Sequence, residues 1–202
     1  MNDDGTVELQ NLLDQLRQGD PAAKRAFLDR ASVRLRRLAA KMLYGSFPAL
    51  QNQHDVDSVA HETWLRLIQA LDKTDPPTVE DFFRLAAHKI RQVLLDMTAQ
   101  HKKRGHQLNV SDSTSSNPIE LAGNQTYNAE RLALWTEFHN KVDTLPEQER
   151  AVFEMHYYLD LPQAEIARLL NLHPRKVSYL WVAATEHLAE GIDGLEEALG
   201  SR

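Results

Sequence analysis

Apolar residues recur along most of this chain at spacings of three and four, the repeat that gathers side chains on one face of an α-helix. Val7, Leu9, Leu12, Leu13 and Leu16 form the first stripe, and Gly19 follows where a left-handed cap residue belongs. Asp20 and Pro21 restart the chain as N-cap and first helical residue. The second stripe holds Ala23, Phe27, Leu28, Ala31, Leu35, Leu38, Ala39, Met42 and Leu43, and ends at Gly45 and Pro48. A third helix starts near Asp55 on Val56, Val59, Ala60, Thr63, Leu67 and Leu71, with Trp64 beside the stripe. Pro76 and Pro77 interrupt the pattern. Thr78 with Asp81 is a shortened capping box, Asp standing in for Glu. It opens a fourth helix, from about Val79 to Lys102, on Phe82, Phe83, Leu85, Ala86, Ile90, Val93, Leu94 and Met97.

From Gly105 to Gln125 the character changes. Ser111 to Pro118 is polar and turn-rich, and reads as a mobile interdomain linker. Beyond it, Asn128 can cap a helix with Leu132, Leu134, Trp135, Phe138 and Val142 inward. Leu145-Pro146-Glu147 opens another, with Ala151, Val152, Phe153 and Met155 inward and Tyr157 and Tyr158 at its end. Two short helices follow, about Pro162 to Leu170 and Pro174 to Ala189. Period-two strand runs and Asn-Gly or Asp-Gly hairpin turns are missing. The expected fold is all-α: two small helical domains, 1–104 and 128–190, joined by a linker at 105–127, with a tail at 191–202.

Composition narrows the function. The chain has 202 residues, enough for one large or two small domains. It has no cysteine, which removes disulfides, thiolate metal sites and cysteine nucleophiles. The acidic start, Met1-Asn2-Asp3-Asp4, is no signal peptide. No apolar run approaches the ~18 residues of a membrane span, so no membrane insertion is expected, and a cytoplasmic location suits the composition. The net charge of −6 has the wrong sign for a nucleic-acid binder, so the local distribution of charge matters. It also suggests a compact free state, in which acidic surface screens basic residues.

Three constellations stand out. In the last helix pair, Ile166, Ala167 and Leu170 face inward, Leu172 fills a short turn, and Val177, Leu180, Ala184 and Leu188 form the inner face of the second helix. Small Ala167 lets the helices cross closely. This is a helix-turn-helix pattern, whose second helix enters the major groove of DNA. Its outward positions are Arg175, Lys176, Ser178, Tyr179 and Val182, with Trp181 at the boundary. A plain helical hairpin has the same spacing, but the preceding Leu145-Pro146-Glu147 helix supplies the third element such a domain needs. The second constellation is basic: Arg84, Lys89 and Arg91, then Lys102, Lys103 and Arg104, with Asp96 the only acid between Arg84 and His106. It suits phosphate contact, and equally a charge-complemented helix end. The third is acidic: Asp55, Asp57 and Glu62 on a helix with His54 and His61. His61-Glu62-Thr63-Trp64-Leu65 does not complete the paired-histidine zinc motif. That face reads as solvated, or as a docking surface for a basic partner. No catalytic triad, phosphate loop or metal set is visible, so neither enzyme activity nor a cofactor is expected.

Together these segments resemble the sigma-70 family of RNA polymerase factors, in particular its extracytoplasmic-function (ECF) subfamily. Asp55-Val-Asp-Ser-Val-Ala-His-Glu-Thr-Trp-Leu-Arg-Leu resembles the helix that binds core polymerase. Phe82-Phe-Arg-Leu-Ala-Ala-His-Lys-Ile-Arg-Gln-Val-Leu-Leu-Asp, followed by Lys102-Lys103-Arg104, resembles the helix that melts and reads the minus-ten element. Leu145-Pro-Glu-Gln-Glu-Arg-Ala-Val-Phe, Ala164-Glu-Ile-Ala-Arg-Leu-Leu and Val177 resemble the domain that reads the minus-thirty-five element.

The resemblance implies a protein that recruits core RNA polymerase to promoter DNA without catalysis of its own. Asp57, Ser58, His61, Glu62 and Arg66 would dock on the beta-prime clamp helices, and the C-terminal domain on the beta flap. Arg91, Gln92, Asp96, Lys102, Lys103 and Arg104 would meet the minus-ten strand. Gln163, Arg175, Lys176, Ser178, Tyr179 and Trp181 would meet the minus-thirty-five element. An anti-sigma factor is a further partner the resemblance implies. The chain departs from the family where the reading helix usually carries several Lys or Arg: Ser178, Tyr179, Leu180, Val182, Ala183 and Thr185 fill those places. His61 stands where Gln is usual. Fewer phosphate contacts mean weaker, less salt-dependent binding. A sigma-like interaction module with lost DNA binding is therefore the alternative, and a dimeric helix-turn-helix repressor a third.

Overall fold

The computed structural model describes residues 3–71, 73–111, 118–190 and Ile192. Eight α-helices carry the described chain, and no strand occurs among the described residues. They are α1 (Asp3–Arg17), α2 (Pro21–Ser46), α3 (Val56–Leu71), α4 (Val79–Ser111), α5 (Pro118–Thr144), α6 (Glu147–Phe153), α7 (Gln163–Leu169) and α8 (Pro174–Ala189). A 3₁₀ turn, Pro48–Leu50, follows α2, and α6 widens into a π turn, Glu154–Tyr158.

Local chemistry sets the boundaries. Gly19 takes φ +87° beyond α1, where Asp20 N–H reaches Gln15 O at 3.1 Å and Gly19 N–H reaches Leu16 O at 2.9 Å. These two bonds satisfy carbonyls that a helix end leaves orphaned. Asp20 then caps α2, its carboxylate accepting from Ala22 N–H at 2.9 Å, with Pro21 in the first helical position. Ahead of α4, Thr78 Oγ1 accepts from Asp81 N–H at 3.1 Å and donates to the Asp81 carboxylate at 2.8 Å. Gln10 of α1 accepts from Val79 N–H at 2.9 Å, so the cap is shared between two helices.

Helices α1 to α4 pack around Phe27, Leu35, Met42, Leu43, Phe47, Phe82 and Phe83, all buried. Phe82 stands edge-on to both Phe27 and Phe83, at 4.8 and 5.1 Å between ring centres. The C-terminal helices pack around Trp135, Phe138, Val152, Phe153, Ile166, Val177 and Leu188. The two sets are continuous, forming one apolar cluster. Phe47 stacks on His139 of α5 at 5.1 Å, and His139 Nδ1 lies 2.9 Å from the Tyr158 hydroxyl.

Two expectations are corrected. Helix α4 continues past Lys102 to Ser111, and α5 begins at Pro118. The stretch read as a linker is thus largely helical where it is described, Asn128 lies inside α5 rather than at its cap, and 112–117 lie outside the described residues. Good helix formers such as Leu108, Leu121 and Ala122 flank the turn-rich Ser111 to Pro118 run, and they weigh more than its polar composition. Val7, placed on the inner stripe of α1, is 58% exposed, because Leu9 and Leu13 make the buried contact.

Candidate functional site

Three surfaces hold the residues singled out by sequence. The first is the outer face of α3. Asp55 precedes the helix and accepts from Ser58 N–H at 2.7 Å, and its hydrogen bonds with Ser58 hold its carboxyl below the ordinary range. Asp57, Ser58 and His61 are exposed, with Asp57 paired to Arg36 of α2 at 2.9 Å. Glu62 and Arg66 are half-buried and tied together: Arg66 donates to Glu62 at 3.1 Å and to Asp96 of α4 at 2.7 Å. Leu65 and Ile68 extend the open face, 47% and 38% exposed. Sequence reasoning passed over both. Their signal was two large apolar residues off the buried stripe of Val59, Ala60, Thr63 and Leu67. No metal-ligand group of three occurs among the described residues, so the His54 and His61 pairing gathers no further ligand.

The second surface is α4, where the expected DNA contacts separate. Lys103 is exposed, and Gln92 is half-buried, accepting from Lys89 Nζ at 3.0 Å. Asp96 faces solvent but holds Arg66. The side chains of Lys102 and Arg104 lie outside those described. Arg91 is not on the surface at all: its side chain is fully buried. Its Nη2 donates to Asp143 of α5 at 2.6 Å and to Glu154 of the π turn at 2.8 Å. The guanidinium carbon sits 5.1 Å from the centre of the Tyr158 ring. Seven residues earlier, Arg84 reaches the other oxygen of Glu154 at 3.2 Å and Glu147 at 3.2 Å. Glu154 is buried between two arginines of α4, and His88 Nδ1 joins Asp143 at 3.2 Å.

Position explains the burial of Arg91. It follows Ile90 and precedes Val93 and Leu94 on the inner side of α4, so its side chain leaves the helix into the gap between the two helical sets. A buried charge is tolerable only when paired, and here two carboxylates supply the pairing. Burial opposes the charge on Asp143, yet the hydrogen bonds from His88 and Arg91 and the Arg91 charge outweigh it and draw its carboxyl down to about 2. Burial also opposes the Arg91 charge, but Tyr158, Glu154 and Asp143 together raise its affinity for the proton. Glu154 and Tyr158 are the first and last residues of the π turn, four positions apart, and both are buried. A further tie lies nearby: Lys41 of α2 donates to Tyr157 O at 2.7 Å and to the Asp160 carboxylate at 2.6 Å. None of Asp143, Glu154 or Lys41 was singled out by sequence. The available signal was register, since Arg84 and Arg91 are spaced like Glu147 and Glu154.

The third surface is the helix-turn-helix. After α7, Asn171 takes φ +52°, Leu172 N–H bonds Ala167 O at 2.8 Å and Asn171 N–H bonds Arg168 O at 3.2 Å. The turn is thus closed by the same paired bonds as the end of α1, with Asn in the left-handed position it tolerates better than most residues. His173 caps α8, its Nδ1 accepting from Arg175 N–H at 3.2 Å. Arg175, Lys176, Ser178 and Tyr179 are exposed, and Lys176 Nζ lies 5.0 Å from the Tyr179 ring centre. Ser178 donates to Gln163 of α7 at 2.7 Å, which joins the two helices across the presented face. Trp181 is different. It is half-buried, stacked on Phe153 at 5.6 Å with His156 against its edge at 4.5 Å, so it braces α8 against α6.

No helix among the described residues is long and apolar enough to cross a membrane. A family model described as ECF sigma factor matches residues 6–193 of the chain. No curated protein matches it.

Proposed function

Because the chain belongs to the ECF sigma factor family, we propose that it binds core RNA polymerase in the cytoplasm and directs initiation at a specific set of promoters. The family is one of transcription factors, and the chain's part in initiation is recruitment and DNA reading rather than catalysis. The observation that carries this reading is the open face of α8: Arg175, Lys176, Ser178 and Tyr179 project from a capped helix whose opposite side, Val177, Leu180, Ala184 and Leu188, is buried. Asp57, Ser58, His61 and the apolar pair Leu65 and Ile68 present a second open face, suited to a helical partner such as the beta-prime clamp helices. The C-terminal helices would meet the beta flap. Gln92, Lys102, Lys103 and Arg104 would meet the minus-ten strand, and Gln163 with the open α8 residues the minus-thirty-five element.

Arg91 and Arg84 qualify this reading in a useful way. Both are held by carboxylates of the C-terminal helices, so α4 cannot offer Arg91 to DNA in this arrangement. We therefore read it as a closed resting form that core polymerase opens, after which 1–104 and 128–190 act as separable units joined through 105–127. An anti-sigma factor would act on the same equilibrium. Tail residues 193–202 lie outside those described.

Run-off transcription with purified core polymerase on the chain's own upstream region tests the proposal. Specific initiation is expected. One observation favours a second reading, an interaction module without DNA reading: only Arg175 and Lys176 are basic on the open face of α8. Core binding without initiation on any promoter tried would select it and discard the first.

A further inference from the structure

A groove of about 700 Å³ runs between α1, α2, α4 and the segment that follows the π turn. One wall is a basic stripe on α2. Arg30, Arg34, Arg37 and Lys41 lie three or four residues apart along a single helix face, and all four line the groove. Two are already occupied: Arg30 pairs with Glu8, and Lys41 with Asp160. Arg34 and Arg37 have no ion pair among the described residues. The Arg34 guanidinium carbon lies over the Phe83 ring, 4.1 Å from its centre, and the buried Nη2 has no hydrogen-bond partner. Burial pushes its affinity for the proton down against the pull of Glu80 and Glu165. An orphaned guanidinium nitrogen is costly to bury, and a turn of the side chain towards an anion in the groove would relieve that cost. The floor is apolar, with Leu9, Leu38, Phe83 and Leu159.

These features select a ligand class. Paired guanidinium forks match phosphate oxygens, while an apolar floor of this size accepts a ring. We propose that the groove binds a phosphorylated aromatic small molecule of the nucleotide class, with Arg34 and Arg37 on its phosphates and the ring over the apolar floor. Lys41, Leu159 and Asp160 bring the C-terminal helices into the same wall. Occupancy therefore favours the closed arrangement by mass action, because the complete groove exists only there. The site concerns the free chain and needs neither polymerase nor DNA, so its failure leaves the promoter-recognition proposal standing.

Calorimetric titration of the full chain with ATP and with GTP tests it, with adenosine and pyrophosphate as separate arms. Saturable binding of a nucleoside triphosphate is expected, with adenosine and pyrophosphate each about tenfold weaker or more. Arg37→Ala should weaken binding by about tenfold or more, and Arg34→Ala at least as much. Arg37 is exposed, so its variant reports on the site even if loss of the Arg34 stack unsettles the fold. Lys24→Ala, on the same helix outside the groove, should leave binding unchanged. Four results would overturn the proposal: no saturable binding at millimolar nucleotide, binding indifferent to Arg37→Ala, pyrophosphate binding as well as the nucleotide, or capture of single-stranded DNA but no nucleotide.

Discussion

Arg91 on α4 and Arg175 on α8 are both arginines on helices proposed to meet DNA, yet they sit in opposite surroundings. Arg91 is fully buried, held by Asp143 and Glu154. Arg175 is exposed in the first turn of α8, and Lys176 beside it rests against Tyr179. The contrast shows that a basic residue on a reading helix is not by itself an available phosphate contact. Availability depends on which side of the helix it leaves, and on whether carboxylates from elsewhere in the chain have claimed it. The proposed minus-thirty-five head is open but sparsely charged, while part of the proposed minus-ten helix is charged but occupied.

The largest effect is expected at Glu154. Glu154→Gln leaves two arginines without their shared carboxylate, and losing one partner of a buried pair costs about 3–5 kcal/mol. We expect the C-terminal helices to separate from α4, seen in small-angle scattering as a larger radius of gyration. Arg91→Met should open the closed form as well, because it leaves Asp143 and the buried Glu154 without the guanidinium between them. A stiff side chain at the turn tests the other region. Asn171→Val forces a β-branched residue to φ +52°, costing about 1–2 kcal/mol, whereas Asn171→Gly should be nearly neutral. Thermal unfolding of the three proteins measures the difference.

Acidity gives a milder handle. The Asp143 carboxyl is held at about 2, below the ~3.9 of an unfolded chain. A depressed carboxylate contributes stability above the unfolded value and loses it as pH falls through the folded one. The closed form should therefore weaken between about pH 4 and pH 2, and Asp143→Asn should flatten that part of the scattering profile. The smallest effect belongs to the open head. Arg175→Ala and Lys176→Ala should each lower the salt dependence of promoter binding by about one counterion, measured by titrating a promoter fragment at several salt concentrations.

Much of this architecture was legible in the sequence. The bounds of α8, the glycine at the end of α1, the Asp20 cap and the Thr78 cap all follow from local chemistry, and a local rule needs no knowledge of distant segments. The outer face of α8 followed too, because the inner face was marked by Val177, Leu180, Ala184 and Leu188. The fate of Arg91 was not legible. Helical spacing shows that it lies near the apolar stripe of α4, but only contact with Asp143 and Glu154, more than fifty residues away, makes its burial tolerable. A compact form was expected from net charge, with acidic surface over the basic residues. The acids do cover arginines of α4, but Arg84 and Arg91, while Lys103 stays exposed. Trp181 was expected at the boundary and is half-buried there, but its partners Phe153 and His156, from α6 and the π turn, are contacts that a helical repeat does not name.

In the proposed mechanism, carboxylates of the C-terminal helices hold α4 closed and core polymerase releases it. The absence of cysteine allows clean labelling. Probes at Lys24→Cys on α2 and Val182→Cys on α8, both exposed positions, report the separation of the two helical sets by energy transfer. One short distance is expected in the free chain, a longer one on adding core polymerase, and a longer one without polymerase once Glu154→Gln is introduced. A distance unchanged by both polymerase and Glu154→Gln would contradict it.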